Sequence, residues 1–300
     1  MFDRIRSYLA SGRNERDVGG EPETGASEVE LTPFFASVHG YVGLAEQVPL
    51  PQLHELMNDY FGRCCTEIQA EGGTLDKYVG DAVVAMFGAP AKLPDHAMHA
   101  CVAALKCQAR VGELRQRLSR DENKWPELAR QFRARIGLHT GVVLVGNMGS
   151  RTRFSYTMMG DNVNLAARLE SGAKHYGVWT LCSRATRDAC ERASPGLVVF
   201  RRLGRLLIKG RADLIDLFEP AALREDVTDR LRECISVFET GLARWQERDW
   251  DGAIQHFEKS AKLERDQPGS SPEITLNPSL NFLNQAQSFR ANPGTGPLFV

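Results

Sequence analysis

The sequence predicts an α+β fold of the ferredoxin-like type, followed by a C-terminal helical hairpin. Residues 30–220 alternate strand-like and helix-like segments in the order β-α-β-β-α-β, with further α/β elements after them. Short turn signals separate the successive strand-like runs, which favours hairpins over parallel crossovers. From residue 221 the apolar side chains recur at helical spacing, so we expect this tail to form a separate unit.

The first half of the middle region predicts a strand, a helix, a hairpin and a second helix. Residues 30–37 are strand-like, and residues 52–71 carry apolar side chains at helical spacing. Residues 73–87 contain two β-rich runs around Gly80 and Asp81, a pattern typical of a hairpin. Residues 96–118 form the second amphipathic pattern.

The second half of the middle region continues with alternating elements. Residues 132–138 and 142–148 predict two strands joined by a short turn. Residues 162–173 predict a third helix and residues 178–182 a further strand. A β-rich stretch over residues 198–218 closes the region, so we expect one sheet to unite these strands.

The two ends of the chain differ from the middle in composition. Residues 1–29 are predicted to be a short amphipathic segment followed by a Gly/Glu-rich linker. Residues 221–300 predict a helical hairpin and then a loose tail rich in Pro, Gly and Asn. The hairpin has the A-x3-F…P pattern of a single tetratricopeptide-like unit. One such unit cannot bury its own apolar face, so it is expected to brace the main domain or to bind a partner.

Composition excludes several classes of protein. The 37 basic and 38 acidic side chains leave a net charge of −1, whereas a nucleic-acid-binding protein normally has a basic excess. The longest apolar runs are too short to span a bilayer, and residues 1–10 lack the apolar core of a signal peptide. The 7 cysteines form no C-x-x-C pair and are expected to be reduced and buried. A cytoplasmic protein is therefore predicted.

A first cluster of unusual residues lies in the predicted hairpin, at residues 72–81. Asp81 follows Gly80 at the tip, from where a carboxylate is able to reach a cleft and bind a hard cation. Lys77 provides a hydrogen-bond donor near the same cleft. The alternative is an ordinary turn aspartate beside a solvated lysine.

A second cluster covers residues 156–168, at the start of the third predicted helix. Asp161 is expected to be its N-cap. Asn164 and Arg168 are four residues apart, so they share one face of the helix. An amide that holds a hydroxyl and a guanidinium that meets phosphate charge suit phosphoryl chemistry, whereas an exposed polar face is the alternative.

Three long motifs together resemble one family. The stretches GGTLDKYVGDAVVAMFGAP, RIGLHTGVVLVGNMGS and RFSYTMMGDNVNLAARLE occur in the order and at the separations of the class III adenylyl/guanylyl cyclase catalytic domain. The resemblance covers about residues 30–220, including Lys209 and Gly210, and extends to the cyclase part of sensor-linked bacterial enzymes. It implies the nucleotide cyclase form of the ferredoxin-like fold.

The resemblance also implies a reaction. In the family, two Mg²⁺ or Mn²⁺ ions held by two aspartates activate the ribose 3′-hydroxyl of ATP, which attacks the α-phosphorus and yields cyclic AMP and pyrophosphate. The site lies at the interface of a head-to-tail dimer. In this sequence Asp81 matches the second metal aspartate, and Lys77 and Thr157 match the base-selecting pair. Asn164 matches the ribose-orienting residue and Arg168 matches the transition-state arginine. Lys209 is a further candidate for binding the triphosphate.

The choice of base follows from donors and acceptors. Adenine presents an acceptor at N1 and a donor at N6, and guanine presents the reverse. The Lys77 ammonium only donates, and the Thr157 hydroxyl is able to accept from an amine. The pair therefore favours ATP over GTP.

One position departs from the family pattern. Ser37 stands where the resemblance places the first metal aspartate, and no aspartate occurs between Asp17 and Asp59. His39 and Glu46 are the nearest other potential ligands, and the Val38 carbonyl, the Ser37 oxygen and water are the groups left to hold a metal there. A metal-binding carboxylate contributes about 3–4 kcal/mol of charge stabilisation in such a site, so its loss slows turnover about 10²- to 10³-fold.

The sequence thus predicts an adenylate cyclase of intracellular signal transduction, active as a homodimer and impaired by Ser37. The alternative is a degenerate cyclase-homology module that binds nucleotide, or that lends its base, ribose and transition-state residues to a heterodimer with another cyclase. Retention of Asp81 and of the other matching residues favours the enzyme.

Overall fold

The computed structural model describes residues 25–150, 154–207, 214–264 and 277–292. Its strands are β1 (Ala26–Val38), β2 (Thr74–Val79), β3 (Ala82–Phe87), β4 (Ala134–Leu138), β5 (Gly141–Gly149), β6 (Phe154–Met159), β7 (Thr180–Ser183), β8 (Val198–Leu207) and β9 (Leu214–Leu223). Its helices are α1 (Tyr41–Gln47), α2 (Leu50–Ala70), α3 (His96–Ser119), α4 (Glu127–Arg130), α5 (Asp161–Tyr176), α6 (Arg184–Ala193), α7 (Asp229–Gln246), α8 (Trp250–Glu264) and α9 (Pro278–Ala291).

A single sheet organises the described strands, in the order β2-β3-β1-β4-β7-β9-β8. The first half of β1 pairs with β5 and the second half with β3 and β4, and β6 pairs with β5. The β4–β7 pair is parallel, whereas the hairpins β2–β3, β5–β6 and β8–β9 are antiparallel. The α+β prediction is confirmed, and hairpins join β2–β3, β5–β6 and β8–β9. The preference for hairpins fails at β4, which pairs with β1 and β7 and not with the successive strand β5.

The side chains of strand β1 point alternately to the two faces of the sheet. Successive side chains of a strand point to opposite faces. Phe34, Ala36 and Val38 are buried in the core that α2 and α3 form against one face. Ser37 therefore points to the other face, where its hydroxyl meets Glu170 of α5.

The C-terminal helices pack on the end of the sheet through an aromatic core. The Phe282 ring of α9 lies 5.3 Å from the Phe238 ring and 5.6 Å from the Trp245 ring, both on α7. Arg201 of β8 forms buried ion pairs with Glu219 of β9 and with Glu264 at the end of α8. The predicted hairpin is present as α7 and α8, and these contacts fix its end to the sheet.

Several predicted boundaries are wrong. Residues 278–291, predicted to belong to a loose tail, form helix α9, because Phe282 and Ala286 find a preformed apolar groove. Residues 26–29, predicted to be linker, pair with β5 although they are mostly exposed. Helices α1, α4 and α6 and strand β6 were not predicted either, since they are short and partly exposed. The amphipathic segment predicted at the N-terminus falls on residues 1–24, outside the described residues.

No helix in the described part of the chain is both long and apolar enough to cross a bilayer. All 7 cysteines are unpaired and buried, as the sequence predicts.

Candidate active site

The β2–β3 turn places Asp81 against the end of β1. Gly80 adopts a φ of +61°, a left-handed conformation that glycine adopts without strain, so the turn is tight. The antiparallel register pairs Ala36 with Val83, which puts Val38 beside Asp81. The Val38 amide donates to Asp81 Oδ2 at 2.8 Å. The structure thus brings together Asp81 and the Ser37–Val38 segment, as the sequence predicts.

The Ser37 hydroxyl is occupied by protein groups. Its Oγ donates to Glu170 Oε1 at 2.5 Å, and Glu170 also accepts from Arg135 Nε at 2.9 Å. Arg135 Nη2 lies 3.5 Å from the Ser37 oxygen, so both neighbours of this hydroxyl are charged. The whole serine is only 8% exposed. A neutral hydroxyl in this network is a poor substitute for a metal-binding carboxylate.

His39 belongs to the same hydrogen-bond network and is not placed as a metal ligand. Its Nδ1 lies 3.1 Å from Arg135 Nη1, and because a guanidinium only donates, this nitrogen must be unprotonated. Burial lowers the pKa of His39, and the charge of Arg135 lowers it further. The ring is therefore a neutral acceptor for Arg135.

A second cluster joins the middle of β2 to the middle of β6. Lys77 Nζ donates to Thr157 Oγ1 at 3.1 Å, so the predicted pair is in direct contact. Thr157 Oγ1 donates in turn to Asp76 Oδ2 at 2.9 Å, and Lys77 Nζ lies 3.6 Å from that oxygen. Asp76 is 5% exposed, whereas Lys77 is exposed. Burial raises the pKa of Asp76, although the Thr157 and Lys77 hydrogen bonds oppose this shift.

Helix α5 presents Asn164 and Arg168 on its exposed side. Neither side chain has a hydrogen-bond or ion-pair partner within the described ranges, so both are available to a ligand. The prediction that they share one face is confirmed. The prediction that Asp161 caps the helix is wrong: Gly160 is the N-cap, and Asp161 is the first helical residue, with no side-chain cap.

The start of α5 is fixed by residues that sequence reasoning missed. Asn162 Nδ2 donates to the Val142 carbonyl at 2.8 Å, and Asn162 Oδ1 lies 3.1 Å from His139 Nε2. Farther along the helix, the backbone of α5 packs directly on Gly137 of β4, where a Cβ would overlap Ala166 and Glu170. A glycine in the middle of a strand was the available signal for this close approach.

Two further predictions concern the binding of the triphosphate and of a metal ion. Lys209, the candidate for a triphosphate, lies outside the described residues. In the portion of the chain that is described, no group of three or more His, Cys, Asp or Glu side chains is arranged to hold a metal ion. Among the predicted metal-site residues Ser37, Val38 and Asp81, only Asp81 carries a carboxylate.

Comparison with known proteins assigns the family. The model of the adenylate and guanylate cyclase catalytic domain matches residues 26–218. The chain is 34% identical to "Adenylate cyclase 1" of Rhizobium meliloti over 190 residues, which are 63% of this chain and 27% of that protein. The chain thus spans about a quarter of the length of this curated relative.

Solved structures agree with this assignment. The adenylyl cyclase CyaB from P. aeruginosa is 28% identical, with a TM-score of 0.59 over 68% of this chain and 100% of that one. The guanylyl cyclase Cya2 is 26% identical, with a TM-score of 0.57 over 68% of this chain and 98% of that one. With its sheet, its hairpins and the matched residues 26–218, the chain belongs to the adenylate and guanylate cyclase catalytic domain family.

Proposed function

We propose that this chain is an adenylate cyclase, which converts ATP to cyclic AMP and pyrophosphate in intracellular signalling. The observation that carries the choice of substrate is the 3.1 Å contact between Lys77 Nζ and Thr157 Oγ1. Relatives of both base specificities resemble the chain, so the base must be inferred from these side chains. A lysine donor suits N1 of adenine, and a threonine oxygen suits its N6 amine.

A divalent cation fits one side of the site. The half-buried Asp81 carboxylate and the Val38 backbone carbonyl are oxygen ligands of the kind that Mg²⁺ and Mn²⁺ prefer. The hydrogen bond from the Val38 amide holds Asp81 beside this residue. When bound, such an ion neutralises phosphate charge and lowers the pKa of a coordinated hydroxyl. The side occupied by Ser37 does not fit a second ion, since its hydroxyl serves Glu170.

The remaining residues orient the nucleotide and stabilise charge. Asn164 holds the ribose so that its 3′-oxygen faces the α-phosphorus, which shortens the path of attack. Arg168 stabilises the negative charge that grows on the α-phosphate oxygens during the displacement. Lys209 binds the triphosphate and stabilises the negative charge of the departing pyrophosphate.

The site is composite in this proposal, with Asp81 from one protomer and Asn164 and Arg168 from its partner in a head-to-tail homodimer. Apolar side chains on β2, β5 and β6 support such an interface, because a monomer would leave this patch in water. Their exposed fractions are 54% for Tyr78, 58% for Val79, 51% for Val142, 39% for Leu144 and 56% for Met159. Leu144 and Met159 are cross-strand neighbours, so part of the patch is continuous.

A reducing compartment suits the chain. The 7 cysteines are unpaired and buried, whereas secreted domains commonly pair theirs. Cytoplasmic ATP is therefore the substrate pool that we propose.

A cyclase-homology module that acts only with a partner is the second candidate, and the Ser37–Glu170 hydrogen bond is the observation behind it. Such a chain would lend Lys77, Thr157, Asn164 and Arg168 to a heterodimer. The enzyme is preferred because Asp81 is retained and positioned by Val38.

The test is product formation by the purified chain. ATP or GTP is supplied with Mg²⁺ or Mn²⁺, and cyclic nucleotide is quantified by chromatography. We expect cyclic AMP from ATP, little cyclic GMP, and loss of product in Asp81→Ala but not in the control Asp95→Ala, which changes an exposed aspartate. A silent chain that gains activity only when mixed with an active cyclase would favour the second candidate.

A further inference from the structure

Asp76 is a buried carboxylate that the proposed reaction does not use. It lies on β2 next to Lys77, is 5% exposed, and accepts a hydrogen bond from Thr157 Oγ1 at 2.9 Å. The Lys77 ammonium donates to the same threonine oxygen at 3.1 Å. The three side chains thus form a relay from Lys77 through Thr157 to Asp76.

The chemistry of these groups fixes where the hydroxyl hydrogen lies. An ammonium has donors only, so Thr157 must accept from Lys77. A carboxylate has acceptors only, so the single hydroxyl hydrogen of Thr157 must point to Asp76. The threonine oxygen then has one lone pair left and no hydrogen to offer a ligand.

We propose that Asp76 is a positioning residue for base selection, which holds the Thr157 hydrogen so that only a lone pair faces the nucleobase. This inference rests on the proposed function, in which Lys77 and Thr157 contact the base. The N6 amine of adenine donates to such an oxygen. The O6 of guanine meets it lone pair to lone pair, so discrimination includes a repulsive element.

Without Asp76, nothing in the relay would fix the direction of the Thr157 hydroxyl hydrogen. A freely rotating hydroxyl is both donor and acceptor, and it would donate to O6 of guanine as readily as it accepts from N6 of adenine. Selectivity would then depend on Lys77 alone. Asp76 is therefore expected to affect discrimination between bases more than the turnover of ATP.

The experiment measures the binding preference of the full-length chain for a non-hydrolysable ATP analogue over the corresponding GTP analogue, by calorimetry. The variants are Asp76→Ala, Asp76→Val, whose β-branched side chain suits a strand, Thr157→Val, and the double variant Asp76→Ala/Thr157→Val. Glu67→Gln is the matched control, since Glu67 is a buried carboxylate of α2 whose partner is Arg110 of α3. Circular dichroism identifies the folded variants.

We expect the preference for the ATP analogue to fall about 10-fold in Asp76→Ala and Asp76→Val and to be unchanged in Glu67→Gln. Because Asp76 acts through Thr157, the double variant should be no less selective than Thr157→Val alone. An unchanged preference in the folded Asp76 variants, or an effect that multiplies with that of Thr157→Val, would overturn the inference.

The binding measurement separates this inference from the proposed function. It needs no turnover, so a chain that makes no cyclic AMP but prefers the ATP analogue through Asp76 would contradict the enzyme and support the relay. A chain that makes cyclic AMP but keeps the same base preference in both Asp76 variants would support the enzyme and contradict the relay.

Discussion

Ser37 donates its hydroxyl hydrogen to the carboxylate of Glu170, with 2.5 Å between the two oxygens. Glu170 is in turn paired with Arg135, which lies opposite Ser37 in the neighbouring strand. The residue at the expected metal position is thus incorporated into a protein network. This network explains how the fold tolerates the missing aspartate while the opposite side of the site keeps Asp81.

Restoring the carboxylate should strengthen metal binding. In Ser37→Asp we expect Mn²⁺ affinity to rise at least about 10-fold and turnover about 10²-fold, since a hard carboxylate replaces a neutral hydroxyl. Calorimetry measures the affinity and product analysis the turnover. The control is Ser37→Asn, because asparagine is the neutral isostere of aspartate. This variant should gain neither Mn²⁺ affinity nor turnover. Equal gains in both variants would show that charge at this position is not the deficit.

Substitution at Gly137 should displace the helix that carries Asn164 and Arg168. In Gly137→Ala the new methyl overlaps the backbone of α5, so we expect a loss of about 2 kcal/mol or more in the free energy of unfolding, together with most of the turnover. Urea denaturation measures the loss.

Gly62→Ala is the control for that change. Its methyl meets nothing within 4 Å on the exposed side of α2, so it should stabilise the chain by about 0.5–1 kcal/mol and leave turnover unchanged. A Gly137→Ala chain as stable and active as the parent would refute the close approach of α5 to β4.

Arg201 should be the most costly single charge to remove from the C-terminal core. It neutralises both Glu219 and Glu264, so Arg201→Ala leaves two buried carboxylates and should cost about 3–5 kcal/mol in urea denaturation. Glu264→Gln should cost less, because Arg201 keeps Glu219 as a partner.

The pH dependence of Arg201→Ala checks the cause. Burial already raises the pKa of Glu219, and removal of Arg201 raises it further. A carboxyl whose pKa is higher in the folded than in the unfolded chain loses stability as pH rises through the folded value. The deficit should therefore shrink as pH falls from neutral toward the ordinary pKa of a glutamate. A deficit independent of pH would point to lost packing instead.

Local patterns predicted the parts of the site that lie within one element. The Gly80–Asp81 turn and the spacing of Asn164 and Arg168 are set by a few neighbouring residues, and the structure contains both. The partners of Ser37 and Thr157 could not be found in this way, since Glu170 is 133 residues from Ser37 and Asp76 is 81 residues from Thr157. Such pairs depend on strand register and helix packing.

Helix α9 illustrates the same limit in the fold. Its apolar side chains are only weakly concentrated on one face of the helix, so periodicity gave little signal. Its position depends on a groove formed by α7 and α8, and on Ser279, which donates to Glu264 at 2.9 Å. A helix that is stabilised by packing on a surface formed by other segments cannot be predicted from its own residues alone.

Complementation between two inactive variants examines whether the proposed adenylate cyclase site is composite. Asp81→Ala and Arg168→Ala are purified separately, mixed at equal concentration, allowed to exchange subunits, and assayed for cyclic AMP from ATP. Each variant alone should be inactive. Half of the dimers in the mixture contain one intact site and one site with both defects, so about a quarter of the parent activity should return. A mixture that stays inactive after demonstrated subunit exchange, beside an active parent, would contradict the composite site, and a parent without product would contradict the enzyme itself.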